Sequence, residues 1–126
     1  MTNTAALIVL AVSIIAMSIA QLLLKARFLL LGHTGTTPPP IGDTVRQGIA
    51  DPWLWGAVVL IVIAGVCWYL AMLRLPISLM LPLAGLIAPI VSIGAWLLLG
   101  EDLTLAKLAA IMTISAGAAW LGWLNT

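Results

Sequence analysis

Four long apolar stretches, Ala5 to Leu24, Trp53 to Leu73, Ile77 to Leu99 and Leu105 to Leu124, take up most of this chain, and none contains Asp or Glu. About 20 apolar residues in a helix cross roughly 30 Å of hydrocarbon, so the pattern predicts an all-α integral membrane protein with four transmembrane helices. A closed β-barrel, the other spanning solution, needs short alternating strands instead of continuous apolar runs. The helices are expected over about 5–31, 53–73, 77–99 and 105–124 of a single domain, residues 1–126.

The polar positions between these runs predict the connections. The stretch 32–51 holds His33-Thr34-Gly35-Thr36-Thr37-Pro38-Pro39-Pro40, which favours extended chain and cannot lie unsatisfied in lipid. It is therefore expected to be an aqueous loop, in which Thr44 to Ile49 is too short to assign beyond one interfacial turn. Asp51-Pro52 supplies an N-cap and a proline at the first helical position. Leu73-Arg74-Leu75-Pro76 predicts a tight hairpin, with Pro76 opening the third helix, and Thr104 after Gly100-Glu101-Asp102-Leu103 predicts the N-cap of the fourth. All charges except Lys25, Arg27 and Lys107 fall in these loops.

Composition narrows the function. The 126 residues are 63% hydrophobic and 7% charged, and a soluble domain needs far more charge for its surface. A net charge of +1 with no basic cluster argues against nucleic acid as a partner. Cys67 is the sole cysteine and His33 the sole histidine, so no disulfide or metal site is expected, and no cofactor. No nucleophile, base and acid converge, so no enzyme is expected. Ser18-Ile19-Ala20 has the small-x-small form of a cleavage site, but no Lys or Arg precedes it, so the first segment reads as a retained helix. Lys25, Arg27, Arg46 and Lys107 flank the first and third loops and Arg74 alone the second. The positive-inside rule then places those two loops in the cytoplasm and both termini outside, a weak bias that leaves dual insertion open.

Candidate functional residues follow from helical spacing. Ser78, Pro82, Gly85, Pro89, Ser92 and Trp96 fall on one face of the third helix. Each interior proline removes a hydrogen bond, so the carbonyls of Ser78 and Gly85 are expected to need partners, and the face reads as a flexible cavity wall or as two packing kinks. On the first helix Ser18, Gln21 and Lys25 share a face: a cationic, hydrogen-bonding stripe for an anionic headgroup, or a plain interfacial anchor. Ala106, Ala110, Thr113 and Gly117 form a small-residue face on the fourth helix, read as an oligomer contact against simple packing within the chain. Trp53, Trp55, Trp120 and Trp123 are placed as interfacial anchors, whereas Trp68 and Tyr69 lie deeper and face either a substrate or the core.

These residues resemble the drug/metabolite transporter superfamily in its four-helix members. The likeness is best over Trp68 to Thr104, where the aromatic pair, Leu-x-x-Pro before the third helix and Gly-Glu-x-Leu-Thr after it stand in the family's order. Two branches compete. The small multidrug resistance exporters are similar in size and space small residues seven apart for dimer contact, as Ala110 and Gly117 do, but their first-helix Glu, eight residues before a Lys, is here Met17. The chain is also similar to the subunits of the 4-amino-4-deoxy-L-arabinose-phosphoundecaprenol flippase, which have a Gln-x-x-x-Lys motif, matched by Gln21 and Lys25, and a Pro-x5-Pro pair, matched by Pro76 and Pro82, with Glu101 in frame. The long Pro-rich loop departs from that branch.

The resemblance implies a transporter or flippase subunit of the bacterial inner membrane, moving a polyprenyl-phosphate-linked sugar or similar anionic lipid. Lys25, with Arg27 or Arg74, is expected to bind the phosphate and Gln21 the headgroup, while Ser18, Trp68, Tyr69, Ser78, Pro82, Pro89, Ser92 and Glu101 line the path. A homodimer, or a heterodimer with a related subunit, is expected to contact through Ala110, Thr113 and Gly117. The alternatives are an exporter of amphipathic cations and a non-transporting scaffold that recruits a partner through its apolar helices and Pro-rich loop.

Overall fold

The computed structural model describes residues 2–32 and 40–124, the side chains of 29–32 excepted, and every regular element among them is an α-helix. In chain order these are α1 (Asn3–Gly32), α2 (Ile41–Ala50), α3 (Pro52–Met72), α4 (Ile77–Ala84), α5 (Ile87–Leu99) and α6 (Leu105–Leu124). Four helical spans are long and apolar enough to cross a membrane: Asn3–Phe28, Pro52–Met72, Ile77–Leu99 and Leu105–Leu124. The chain is an all-α, four-helix membrane protein with spans where the hydropathy pattern puts them.

Helix α1 is the centre of the arrangement, packing chiefly on α3 and also on α5, while α6 is held by α4 and α5. The α1–α3 seam shows how apolar helices associate when lipid is as apolar as they are: close backbone approach replaces the hydrophobic drive. Ala57, Ala64 and Ala71, seven residues apart, are all buried on α3. Opposite them α1 buries Ser13, whose hydroxyl donates to the Ala64 carbonyl at 2.7 Å. This alanine stripe and its interhelical hydrogen bond are the small-residue packing of the chain itself. The face that sequence spacing singled out, Ala106, Ala110, Thr113 and Gly117 on α6, stays exposed. Toward the other end of the seam, Leu10, Ala71, Leu75, Leu79 and Met80 form a core against which Trp68 packs.

The third span is interrupted instead of merely kinked. Pro89 has no N–H for the Gly85 carbonyl, which accepts from Ala88 N at 3.1 Å, one residue early. Gly85 N and Leu86 N likewise donate to the carbonyls of Pro82 and Leu83, both at 3.0 Å, which makes residues 82–88 a tightened 3₁₀-type turn between α4 and α5. The expectation that Gly85 has an unpartnered carbonyl is therefore corrected: the tighter turn supplies its donor. A Cβ on Gly85 would lie 2.9 Å from the Pro82 carbonyl oxygen, so only glycine fits there.

The region expected to be an aqueous loop also differs. Residues 41–50 form α2, with Ile41, Val45 and Ile49 on one face, so Asp43 and Arg46 are helical and not in a loop. The chain before it, including His33 and the prolines up to Pro39, lies outside the described residues. The expected caps are present: Asp51 accepts from Trp53 N at 3.0 Å and Thr104 from Lys107 N at 3.3 Å. Pro76 occupies the capping position before α4 instead of its first turn, and the short turn between α3 and α4 leads α4 to pack mainly on α6.

A larger side chain in the α1–α3 seam has nowhere to go. Ala64→Leu should cost about 1–3 kcal/mol through overpacking, read as a lowered unfolding midpoint in detergent, whereas Val62→Leu on the exposed face of the same helix should change stability by about 0.5 kcal/mol or less. Equal midpoints for the two variants would contradict the seam.

Candidate functional site

Because the four spans alternate in direction, the chain has two ends of unequal character. The turn at 73–76 carries Arg74 alone; the opposite end gathers Lys25 and Arg27 from the last turns of the first span, the residues of α2, Asp51, Glu101, Asp102 and Lys107. Charge is thus concentrated where α1, α3, α5 and α6 approach one another.

Two ion pairs organise that end, and they differ in burial. Arg27 Nε donates to Asp51 Oδ2 at 2.7 Å, with the Asp51 side chain only 4% exposed. The other oxygen of the same carboxylate caps α3. The hydrogen bond from Arg27 holds the Asp51 carboxyl below its ordinary range, helped by the Trp53 N–H and the Arg27 charge and opposed by burial. Such a pair is a structural tie, since breaking a buried pair strands a charge. The Lys25 ammonium pairs with Glu101. Gly100, at φ +67°, ends α5 in the left-handed conformation that glycine tolerates, and the Glu101 N–H turns back to the Ala95 carbonyl at 3.3 Å, which brings the carboxylate to α1. Here both side chains are well exposed, 51% and 41%. Both charged groups are thus accessible, unlike those of the Arg27–Asp51 pair.

Beside this pair lies a cavity of 350 Å³ between α5, the 100–104 turn and α6. Ser92 and Trp96 form one wall and Ala110 and Ile111 the other, with Glu101, Asp102 and Lys107 at its charged end. Lys107 Nζ donates to the Asp102 carbonyl at 3.4 Å, a long bond that leaves most of its donor capacity unused. Gln21, one turn deeper than Lys25 on the same side of α1, is exposed. The recess itself offers one ammonium group, a hydroxyl and an indole beside the Glu101 and Asp102 carboxylates, and the Lys25 ammonium meets its edge through Glu101.

Among the residues expected to line a substrate path, the structure brings Lys25 to Glu101, and Glu101 together with Ser92 and Trp96. It does not bring in the rest. Ser18 is completely buried and donates to the Ile14 carbonyl at 2.7 Å; Arg27 is committed to Asp51; Arg74, Ser78 and Pro82 belong to the other end, on the far side of the interruption. Pro89 is buried and Tyr69 is exposed, while Trp68 supports the core. Thus the third-helix residues do not form one wall, because the turn at Gly85 divides them. Sequence reasoning missed Asp102 and Lys107 as cavity residues and the second task of Asp51. The signal for the latter was present: a carboxylate has two oxygens, and an N-cap uses one. The chain matches no protein-family model, no curated protein and no solved structure, so nothing outside its own residues assigns this end a ligand.

The lowered pKa of Asp51 has a definite sign. A carboxyl depressed in the folded state contributes stability above its unfolded pKa of about 3.9, and that contribution is lost as pH falls through the folded value. The wild type should therefore lose stability on acidification below about pH 4, whereas Asp51→Asn should start less stable at neutral pH and lose less over the same window. Unfolding midpoints in detergent across pH check this, and parallel curves would refute the tie.

Proposed function

We propose that this chain is a transporter or flippase subunit of the bacterial inner membrane that moves a polyprenyl-phosphate-linked sugar or a similar anionic lipid between leaflets. The observation that carries the reading is the exposed Lys25–Glu101 pair beside the recess containing Ser92, Trp96 and Lys107. A phosphate displaces the Glu101 carboxylate from Lys25, exchanging one accessible pair for a charge-assisted contact with a ligand that remains in the membrane. Gln21 hydrogen-bonds the headgroup, and the Trp96 ring gives a sugar an apolar face to rest on. Arg27 fixes the end of α1 against α3 and holds Lys25 in place.

The absence of Asp and Glu from the apolar spans supports an anionic cargo over a cationic one, because a cation exporter relies on an intramembrane carboxylate. Lys and Arg number four at the site-bearing end and one at the Arg74 end, which supports a cytoplasmic position for the site. Four helices enclose little space, and transporters commonly build alternating access from two repeats around a shared site. A second copy, or a related subunit, seated on the exposed Ala110, Thr113 and Gly117 of α6 completes the recess, which Ala110 already lines.

Losing a hydrogen bond to a charged group costs about 1.5–3 kcal/mol, roughly ten- to hundredfold in affinity. Lys25→Ala should accordingly abolish co-purification of a polyprenyl-phosphate sugar from native membranes, measured by lipid mass spectrometry, and slow its translocation by reconstituted protein. Arg74→Ala, at the other end, should leave both intact. Bulk phospholipid alone on wild type and variant would reject the reading.

A further inference from the structure

Between the end of α1, α2 and the start of α3 runs a groove of 460 Å³, within the range of about 300–1,000 Å³ for small-molecule pockets. Leu24 and Phe28 supply one side, Val45 and Ile49 of α2 another, and Leu54 and Val58 of α3 the floor. These α1 and α3 residues are the last and first turns of membrane spans, so the groove sits at the boundary between hydrocarbon and headgroups. Helix α2 is held beside it at its C-terminal end. Trp55 Nε1 donates to the Ile49 carbonyl at 2.8 Å, Asp51 N donates to the Gly48 carbonyl at 3.2 Å, and the Arg27–Asp51 pair ties the same corner to α1. The apolar face of α2 lines the groove without filling it: Ile41, Val45 and Ile49 remain 84%, 54% and 64% exposed.

Helix α2 carries two charges. Asp43 lies in its first turn, where the helix dipole favours a carboxylate. Arg46 is exposed and makes no ion pair among the described residues, leaving its guanidinium fork available at headgroup level. An apolar slot at this depth, one side of which is a helix that also carries an exposed guanidinium without an ion pair among the described residues, is complementary to one kind of membrane component.

We infer that the α1–α2–α3 groove is a lipid site that seats one hydrocarbon chain of an anionic phospholipid, whose phosphate is bound by Arg46. The chain lies between Phe28 and Val45 with Trp55 against it, and Arg46 selects an anionic headgroup from its zwitterionic neighbours. This site is separate from the Lys25 recess and does not depend on transport. Its occupant docks α2 to the leaflet and braces the corner that positions α1.

The test uses Trp55 as the reporter. In a variant whose other tryptophans are Phe, reconstituted in phosphatidylcholine vesicles, phosphatidylglycerol with brominated chains should quench Trp55 as though it were enriched about fivefold over the bulk bilayer, the ratio for one basic residue at an anionic surface. Brominated phosphatidylcholine should follow the bulk curve. Arg46→Gln should remove the enrichment, and Val45→Phe, which narrows the groove without touching Arg46, should reduce it. Native mass spectrometry of the unmodified chain in detergent with phosphatidylglycerol should retain one lipid, lost in Arg46→Gln. Bulk-like quenching by both lipids would overturn the site, and enrichment that survives Val45→Phe unchanged would overturn the seating of a chain in the groove. Neither result bears on Lys25, so this inference and the transport reading fail independently.

Discussion

Where charge can be placed governs this protein. In hydrocarbon an unpaired charge is too costly to keep, and with apolar spans free of acid the carboxylates must stand outside them. The chain draws four basic and four acidic groups to one end and pairs two of each across elements distant in sequence. Arg27 with Asp51 joins the first span to the second, and Lys25 with Glu101 joins it to the turn after the third. Both partners of α1 are thereby registered against it at the membrane boundary. Deeper down, the alanine stripe, the Ser13–Ala64 hydrogen bond and the core around Leu10 and Leu79 do the same.

The two pairs have unlike consequences because their exposure differs. Asp51 is closed in and uses both oxygens, one of them to hold Arg27 through its Nε; Lys25 and Glu101 are both accessible. Rigidity and exchangeability are thus built side by side on one helix end, two residues apart. A binding cation in a membrane protein requires both conditions, since a ligand can compete only for a charge that is loosely satisfied, and can be oriented only by a charge whose backbone is fixed.

How much of this was legible in the sequence depends on the range of the forces involved. Spans are set by the hydropathy of contiguous residues, and caps by neighbours one to three positions away, so Asp51, Thr104 and all four spans could be read directly. Helix α2 could not, because its ten residues contain two glycines and are too short to be helical on propensity alone; docking onto Trp55 and Asp51 stabilises it. The interruption at Gly85 was half legible. Proline spacing located it, but whether freed carbonyls gain partners from a tighter turn or from a cavity is decided by tertiary packing. The site followed the same logic. Lys25 and Gln21 were singled out by spacing on one helix, while Asp102 and Lys107 join the recess only through the course of the chain after Gly100.

The same limits explain why the small-residue faces were read unevenly. Ala106, Ala110, Thr113 and Gly117 stand out because threonine and glycine interrupt an apolar run, whereas Ala57, Ala64 and Ala71 are lost among valines and leucines. The chain packs against itself through the inconspicuous stripe and leaves the conspicuous one exposed. In lipid, close approach of two backbones is worth the same whether the partner belongs to one chain or two. An exposed small-residue face on the least buried of the four spans, α6, with 11% of its apolar window buried, is therefore the surface on which a second subunit gains most. Because Ala110 is also part of the recess wall, a subunit seated there, as proposed, would also close the recess.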